Sequence, residues 1–185
     1  MKPIDKHQLL DSLEERVNEH LHAAIDVFQN MKSDLLLRPA ADGGWSIAQC
    51  LEHLNRYGDY YIPQIKQGLH RQQFFVQGGL FKSGFLGGVF TRMMDPDRGK
   101  KKYKALKDYI PVADLDAYAV VAEFIRQQEE LLICLQGARS ADLNRIRVPV
   151  SILPMLRLKL GDVLQFFIAH DERHIRQAKR NCPVD

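Results

Sequence analysis

The sequence predicts an all-α protein, a four-helix bundle with one long crossover between its second and third helices. Three observations predict it. Apolar residues recur at three- and four-residue steps in four separate stretches, the period of an amphipathic helix. Capping and stop residues bracket those stretches. Between the second and third stretches, the glycine-rich segment 68–112 is long enough to return the chain to the other end of a bundle. A chain of 185 residues has the size of one domain, so residues 1–185 are expected to form a single unit. Packing four amphipathic faces against one another is the simplest way to bury them.

The first helix is expected over about residues 5–32, with Leu10, Leu13, Val17, Leu21, Ala24, Phe28 and Met31 on its apolar stripe. The second, about 46–67, has the clearest start. Ser46 can cap the free amides while Gln49 reaches back to it, a capping box, and Trp45 and Cys50 occupy the two positions of a hydrophobic staple. Pro63 is expected to kink this helix or end it early. The crossover 68–112 holds seven glycines and the basic run Arg98–Lys107, yet Phe81–Met94 is too apolar for a disordered linker, so a short helix or two is expected there. Asp114 is the expected cap of a third helix over about 114–136, with Gly137 as its stop. A connector with Pro149 and Pro154 leads to the fourth helix, about 160–180.

The crossover has residues to spare. A helix of ~20 residues is ~30 Å long, and ~10 extended residues span that. The second and third helices can therefore run parallel.

Composition excludes several classes. With 45% hydrophobic and 26% charged residues the chain is an ordinary soluble globular protein, and its net charge of +3 is too small to argue for a nucleic-acid or anionic-membrane partner. The basic run holds one aromatic residue, Tyr103, and no patch of aromatics interleaved with its charges, so it reads as solvated. Three cysteines at unpaired spacings argue against a disulfide framework and for a reducing compartment. No stretch of 18 apolar residues and no signal-peptide core is present, and a cytoplasmic location is expected.

Chemistry enters at the end of the chain. Val163, Phe167, His170, His174 and Gln177 step by four, three, four and three, so they share one stripe of the fourth helix. Two histidines at i and i+4 can bind one metal ion from successive turns, whereas a lone histidine there would be an ordinary polar residue at the bundle edge. The sequence H-D-x-x-H also approaches the H-E-x-x-H protease motif, but only eleven residues follow His174 and none is a histidine, so a third ligand has to come from upstream. His53 is the best candidate. It lies ~10 Å from the start of the second helix, while His174 and His170 lie ~9 and ~15 Å from the end of the fourth, so antiparallel helices bring the three to one height. His7, His20, His22 and His70 are expected at the surface.

The segment Gly44-Trp45-Ser46-Ile47-Ala48-Gln49-Cys50-Leu51-Glu52-His53-Leu54 resembles the G-W-S-x-x-[EQ]-x-x-x-H-L signature of the DinB/YfiT-like superfamily. The closing His170-x-x-x-His174-x-x-Gln177 is similar to the family's second signature, and the resemblance covers roughly residues 5–180. It implies up-down-down-up helix order, frequent homodimers, and a divalent metal, commonly nickel or zinc, on His53, His170 and His174. Lys159 departs from the pattern, since relatives often carry a Ser or Thr cap before the last helix.

Three neutral imidazoles leave a metal its full charge and an open position, the arrangement of a catalytic site. Cys50, one turn from His53, could close it as a fourth ligand. Two chemistries fit the open form: metal-dependent hydrolysis of a small molecule, and transfer of a low-molecular-weight thiol. The resemblance supports both. Glu52, Asp171 and Glu172 flank the histidines along the chain and are expected to point away from the metal. The alternative is a non-catalytic metal- or ligand-binding bundle in which Phe81–Met94 covers the pocket or forms a dimer contact.

Overall fold

The computed structural model describes residues 2–72, 75–98, 104–151 and 153–183. Residues 99–103 of the basic run, and Asp185, lie outside the described residues. Four long helices carry the fold: α1 (Lys6–His22), α3 (Ile47–His70), α5 (Ala117–Ala138) and α6 (Leu160–Lys179), with the short α2 (Ser33–Leu37) and α4 (Phe85–Met94) between them.

Each long helix begins for a chemical reason. Asp5 accepts the amides of His7 and Gln8 ahead of α1. Ser46 and Gln49 exchange bonds with each other's backbone at the start of α3, the expected capping box. The cap of α5 is Asp116 rather than Asp114: its carboxylate accepts from the amides of Tyr118 and Ala119. Either aspartate has the chemistry, and the one that wins is set by where the crossover delivers the chain. Lys159 provides no side-chain cap for α6. Backbone carbonyls replace it, with Ile146 accepting from Leu160 N at 2.9 Å and Leu143 from Gly161 N at 3.3 Å.

The expected first helix over 5–32 does not run through. After α1 the chain makes a π turn at Ala23–Val27 and a 3-10 turn at Phe28–Asn30. A π turn takes in an extra residue and re-phases the buried stripe, which keeps Ala23, Ala24 and Phe28 inside. Pro63 does not end α3, which continues to His70. The loss of one helical bond costs about 3 kcal/mol, and burial of Tyr61, Ile62 and Ile65 on the inner face offsets it at about 1.5–3 kcal/mol each.

The connector before α6 is an antiparallel hairpin of β3 (Arg147–Val150) and β4 (Leu153–Lys159), pairing Val148 with Leu158 and Pro149 with Arg157. Val148, Val150 and Leu158 face the core. A second pairing, β1 (Ile4–Asp5) with β2 (Leu80–Phe81), ties the crossover to the N-terminus. Phe81 lies so close over the start of α6 that a Cβ on Gly161 would sit 2.5 Å from its ring. Ser83 Oγ and the Gly84 amide both donate to the Asp162 carboxylate. The crossover is thus pinned to α6, and α4 packs along that helix.

Contacts along the helices give their relative directions. On α3 and α5 the paired numbers rise together, from Asn55 with Val120 to Lys66 with Glu130. On α3 and α6 they run oppositely, from Trp45 with Asn181 to Tyr61 with Phe166 and Phe167. On α1 and α5 they also run oppositely, from Asp11 with Arg139 to His20 with Gln128. Two hydrophobic clusters fill the bundle, one around Leu10, Tyr61, Leu131 and Phe167 and the other around Phe28, Ile47, Leu51 and Phe124. Among the described residues no helix is long and apolar enough to cross a membrane.

Candidate metal centre

His53 projects from the second turn of α3, and His170 and His174 project from successive turns of α6. Because those helices pass in opposite directions, the three rings meet between the two apolar clusters. One nitrogen from each lies within 4.8 Å of the others. His53 and His170 are buried and His174 is half-buried. The three residues singled out by spacing are therefore brought together.

Their partners decide what the cluster can hold. His53 Nδ1 lies 2.7 Å from the backbone carbonyl of Tyr109, which only accepts, so Nδ1 carries the ring proton and Nε2 is a bare lone pair. His174 Nδ1 faces Gln177 Oε1 at 3.0 Å, which fixes its proton in the same way. His170 Nε2 sits 3.3 Å from His53 Nε2, and its buried Nδ1 has no partner among the described residues. Three neutral rings thus offer three inward nitrogens with at most one proton among them. A cation meets that need. Two nitrogens at ~2.0–2.1 Å from a tetrahedral ion lie about 3.3–3.4 Å apart, which matches the His53–His170 pair, and a set of imidazoles with the third ring nitrogen within 4.8 Å suits a divalent transition metal.

Electrostatics favour the neutral rings. Burial lowers His53 and drives His170 well below the ordinary histidine value, with neighbouring rings adding to the effect on His170. Burial, then the adjacent His53, takes His174 down to about 3. Around them stand aromatic walls: Trp45 at 4.8 Å from His53, Tyr57 at 4.5 Å from His170, and Phe166 stacked on His170 at 6.2 Å.

No acidic side chain joins the cluster among the described residues. Glu52 binds Arg56 at 2.9 Å, Asp171 accepts from Gln128 Nε2 at 3.0 Å, and Glu172 faces His20 at 3.1 Å. All three point elsewhere, as expected. Cys50 is fully buried in the second apolar cluster and is no member of the histidine group, and burial pushes its thiol up to about 12.

Two expectations need correction. His20 is not at the surface: it is 1% exposed, with its ring nitrogens facing Gln128 Oε1 and Glu172 Oε2. The inner stripe of α1 runs through Leu10, Leu13, Val17 and His20, while Leu21 is half-buried. His22 and His70 are exposed and His7 is half-buried. The segment that reaches the histidines is also not Phe81–Met94. That stretch packs against Phe166, with Phe90 6.0 Å from it, and its Met93 carbonyl accepts from Arg173. The contact comes from residues 108–112, held along one stripe of α3 by three side chains. Arg56 donates to the carbonyls of Asp108 and Ile110, His53 to Tyr109 and Gln49 to Val112. Tyr109 went unread because the contribution of its backbone has no sequence signature.

Comparison with known proteins agrees with this geometry. No curated protein matches the chain. Among solved structures, YfiT from Bacillus subtilis, described as a probable metal-dependent hydrolase with an unusual four-helix bundle topology, superposes with a TM-score of 0.54 at 17% sequence identity, over 95% of this chain and 85% of that one. At that identity the likeness establishes the fold. The family model described as the DinB superfamily matches residues 16–178. With that match over most of its length, the chain belongs to the DinB superfamily.

Proposed function

We propose that the protein binds one divalent metal ion, nickel or zinc, through His53, His170 and His174 and acts as a metal-dependent hydrolase on a small molecule. The observation that carries this is the proton count. Carbonyl and amide oxygens fix the outer protons of His53 and His174, which leaves inward lone pairs that no protein donor fully serves. When bound, the ion supplies Lewis acidity toward an oxygen or sulfur ligand. The neutral imidazoles leave its charge undiminished, Tyr109 and Gln177 hold two rings in register, and the aromatic walls keep the surroundings poor in water. The description of YfiT as a probable metal-dependent hydrolase supports the reading, and the helix contacts support an up-down-down-up order.

A low-molecular-weight thiol as the attacking group is the second reading, favoured by one observation. Among the described residues no carboxylate lies at the cluster to act as general base, and a thiol needs none once it ionises. Elemental analysis of the purified protein, then a panel of activated esters and of thiol–electrophile pairs, tests both. Turnover that disappears in His170→Ala supports an enzyme, and the panel names the class. Stoichiometric metal with no turnover on either set leaves a metal-binding bundle.

A further inference from the structure

We propose that the protein has a second binding site, at the opposite end of α3, for a small multiply charged oxyanion: the phosphate or carboxylate end of a metabolite-sized molecule. A cavity of about 340 Å³ opens where the last turns of α3 meet the β3–β4 hairpin, and Arg71, Arg145, Arg147 and Arg157 all line it. That volume suits a small ligand. From His53 to Gln64 and Arg71 is eleven to eighteen residues along α3, or about 17–27 Å at the helical rise, so this site is separate from the histidines.

The charge of the cavity is unbalanced. Among the described residues Asp142 is the one carboxylate in its lining, and it is already engaged: Oδ1 accepts the amides of Asn144 and Arg145, and Oδ2 lies 3.5 Å from Arg145 Nε. Among the described residues the side chains of Arg71, Arg147 and Arg157 form no ion pair or hydrogen bond. Arg71 has a local use, since a cation at a helix C-terminus complements the dipole. The hairpin arginines have none. Arg147 pairs with Lys159 and Arg157 with Pro149, so the two arginines are diagonal neighbours on one face. Arg147 also stands directly opposite Lys159, and like charges directly opposite destabilise a hairpin. Its other face carries Val148, Val150 and Leu158 into the core, which fixes the register and leaves the arginines no way to separate by slipping.

Guanidinium forks match the planar or tetrahedral oxygens of carboxylate and phosphate.

The test is calorimetric titration of the full-length protein with pyrophosphate and with citrate, at low ionic strength, alongside a single-stranded oligonucleotide. One saturable site per chain is expected for at least one small anion, and the arm that binds more tightly identifies phosphate or carboxylate. The variant Arg147→Gln/Arg157→Gln should weaken it about tenfold to a hundredfold. The charge-matched control Lys32→Gln/Arg38→Gln should leave it within about twofold, since both residues are exposed and outside the cavity. Arg157→Gln alone serves if the double variant fails to fold by circular dichroism. No heat with either small anion, equal weakening in variant and control, or binding of the oligonucleotide alone overturns the proposal.

Discussion

Two buried polar clusters flank the same turns of α6, and they are built on opposite principles. On one side His20, Gln128, Asp171 and Glu172 join α1, α5 and α6. His20 faces two oxygens, Gln128 uses both ends of its amide, and Glu172 also takes Arg176 Nε. On the other side His53, His170 and His174 turn lone pairs toward one another and leave a buried nitrogen without a partner. In the first cluster each ring and amide nitrogen faces an oxygen, and among the described residues only Asp171 Oδ1 is left without a partner. The second turns ring nitrogens on one another with no oxygen between them, and lone pairs left short in the interior cost stability unless something else completes them. Histidine is present in both. Its partners decide which cluster is structural and which is a site.

The largest effect that separates the clusters is on metal. His170→Ala removes a ligand and should lower metal affinity by more than a hundredfold, read by elemental analysis after dialysis and by competition with a chelator. Gln177→Leu removes only the partner of His174 Nδ1 and should cost about 10–100-fold. His20→Ala should leave metal stoichiometry intact. If His20→Ala strips the metal as His170→Ala does, the division into two clusters fails.

Stability should rank the other way. His20→Ala removes the only partner of Gln128 Oε1 and one of the partners of Glu172, which costs about 1–3 kcal/mol, or roughly 2–4 °C of Tm per kcal/mol for a chain of this size. The metal-free His170→Ala variant removes a ring whose Nδ1 is already unpartnered and should melt closer to wild type. Thermal melts of both variants without metal check this.

How much of this was legible in the sequence follows from what each feature depends on. The i, i+4 pair on α6 and the capping box before His53 are local, and local spacing on a helix fixes which side chains share a face. The antiparallel match of heights then needed only helix lengths. His20 was misplaced because Leu21 offered an equally good apolar step, and only packing against α5 and α6 decides between adjacent stripes. Tyr109 and the hairpin lay in segments whose positions are set by tertiary contacts, although the alternation of Arg147, Val148, Pro149 and Val150 was a signal of the hairpin that could have been read.

Acid should act on the open cluster first. His53, His170 and His174 all take protons below the ordinary value of 6.5, His174 not until about 3. Between those limits the unfolded chain binds more protons than the folded one, so stability of the metal-free protein falls as pH drops below about 6.5. Glu172, held at about 2 chiefly by its hydrogen bond from His20, adds to the loss below its ordinary 4.5. Asp171 opposes it. Burial raises it from 3.8 to about 7, so its share of stability is present at low pH and is lost as pH rises through that range. Asp171→Asn removes the opposing contribution and should steepen the decline in Tm between pH 7 and 4.5. An unchanged slope would mean that Asp171 is ionised in the folded protein well below pH 7.

The smallest effect is expected at Cys50, and it sharpens the contrast by being absent. Its thiol lies one turn from His53 along α3, where a fourth ligand would close the site and make it inert. The structure instead packs it among Ile47, Leu51 and Phe124, and burial keeps the thiol protonated. Forming the thiolate there would need a cation in contact with the sulfur, and the histidine group does not include it. Cys50→Ser should therefore retain metal at wild-type stoichiometry and affinity. Its one cost should be that of placing a hydroxyl in an apolar cluster, about 1–3 kcal/mol if the hydroxyl finds no acceptor. Loss of metal in Cys50→Ser would show that the sulfur reaches the ion after all, and would turn the open site proposed here into a closed structural one.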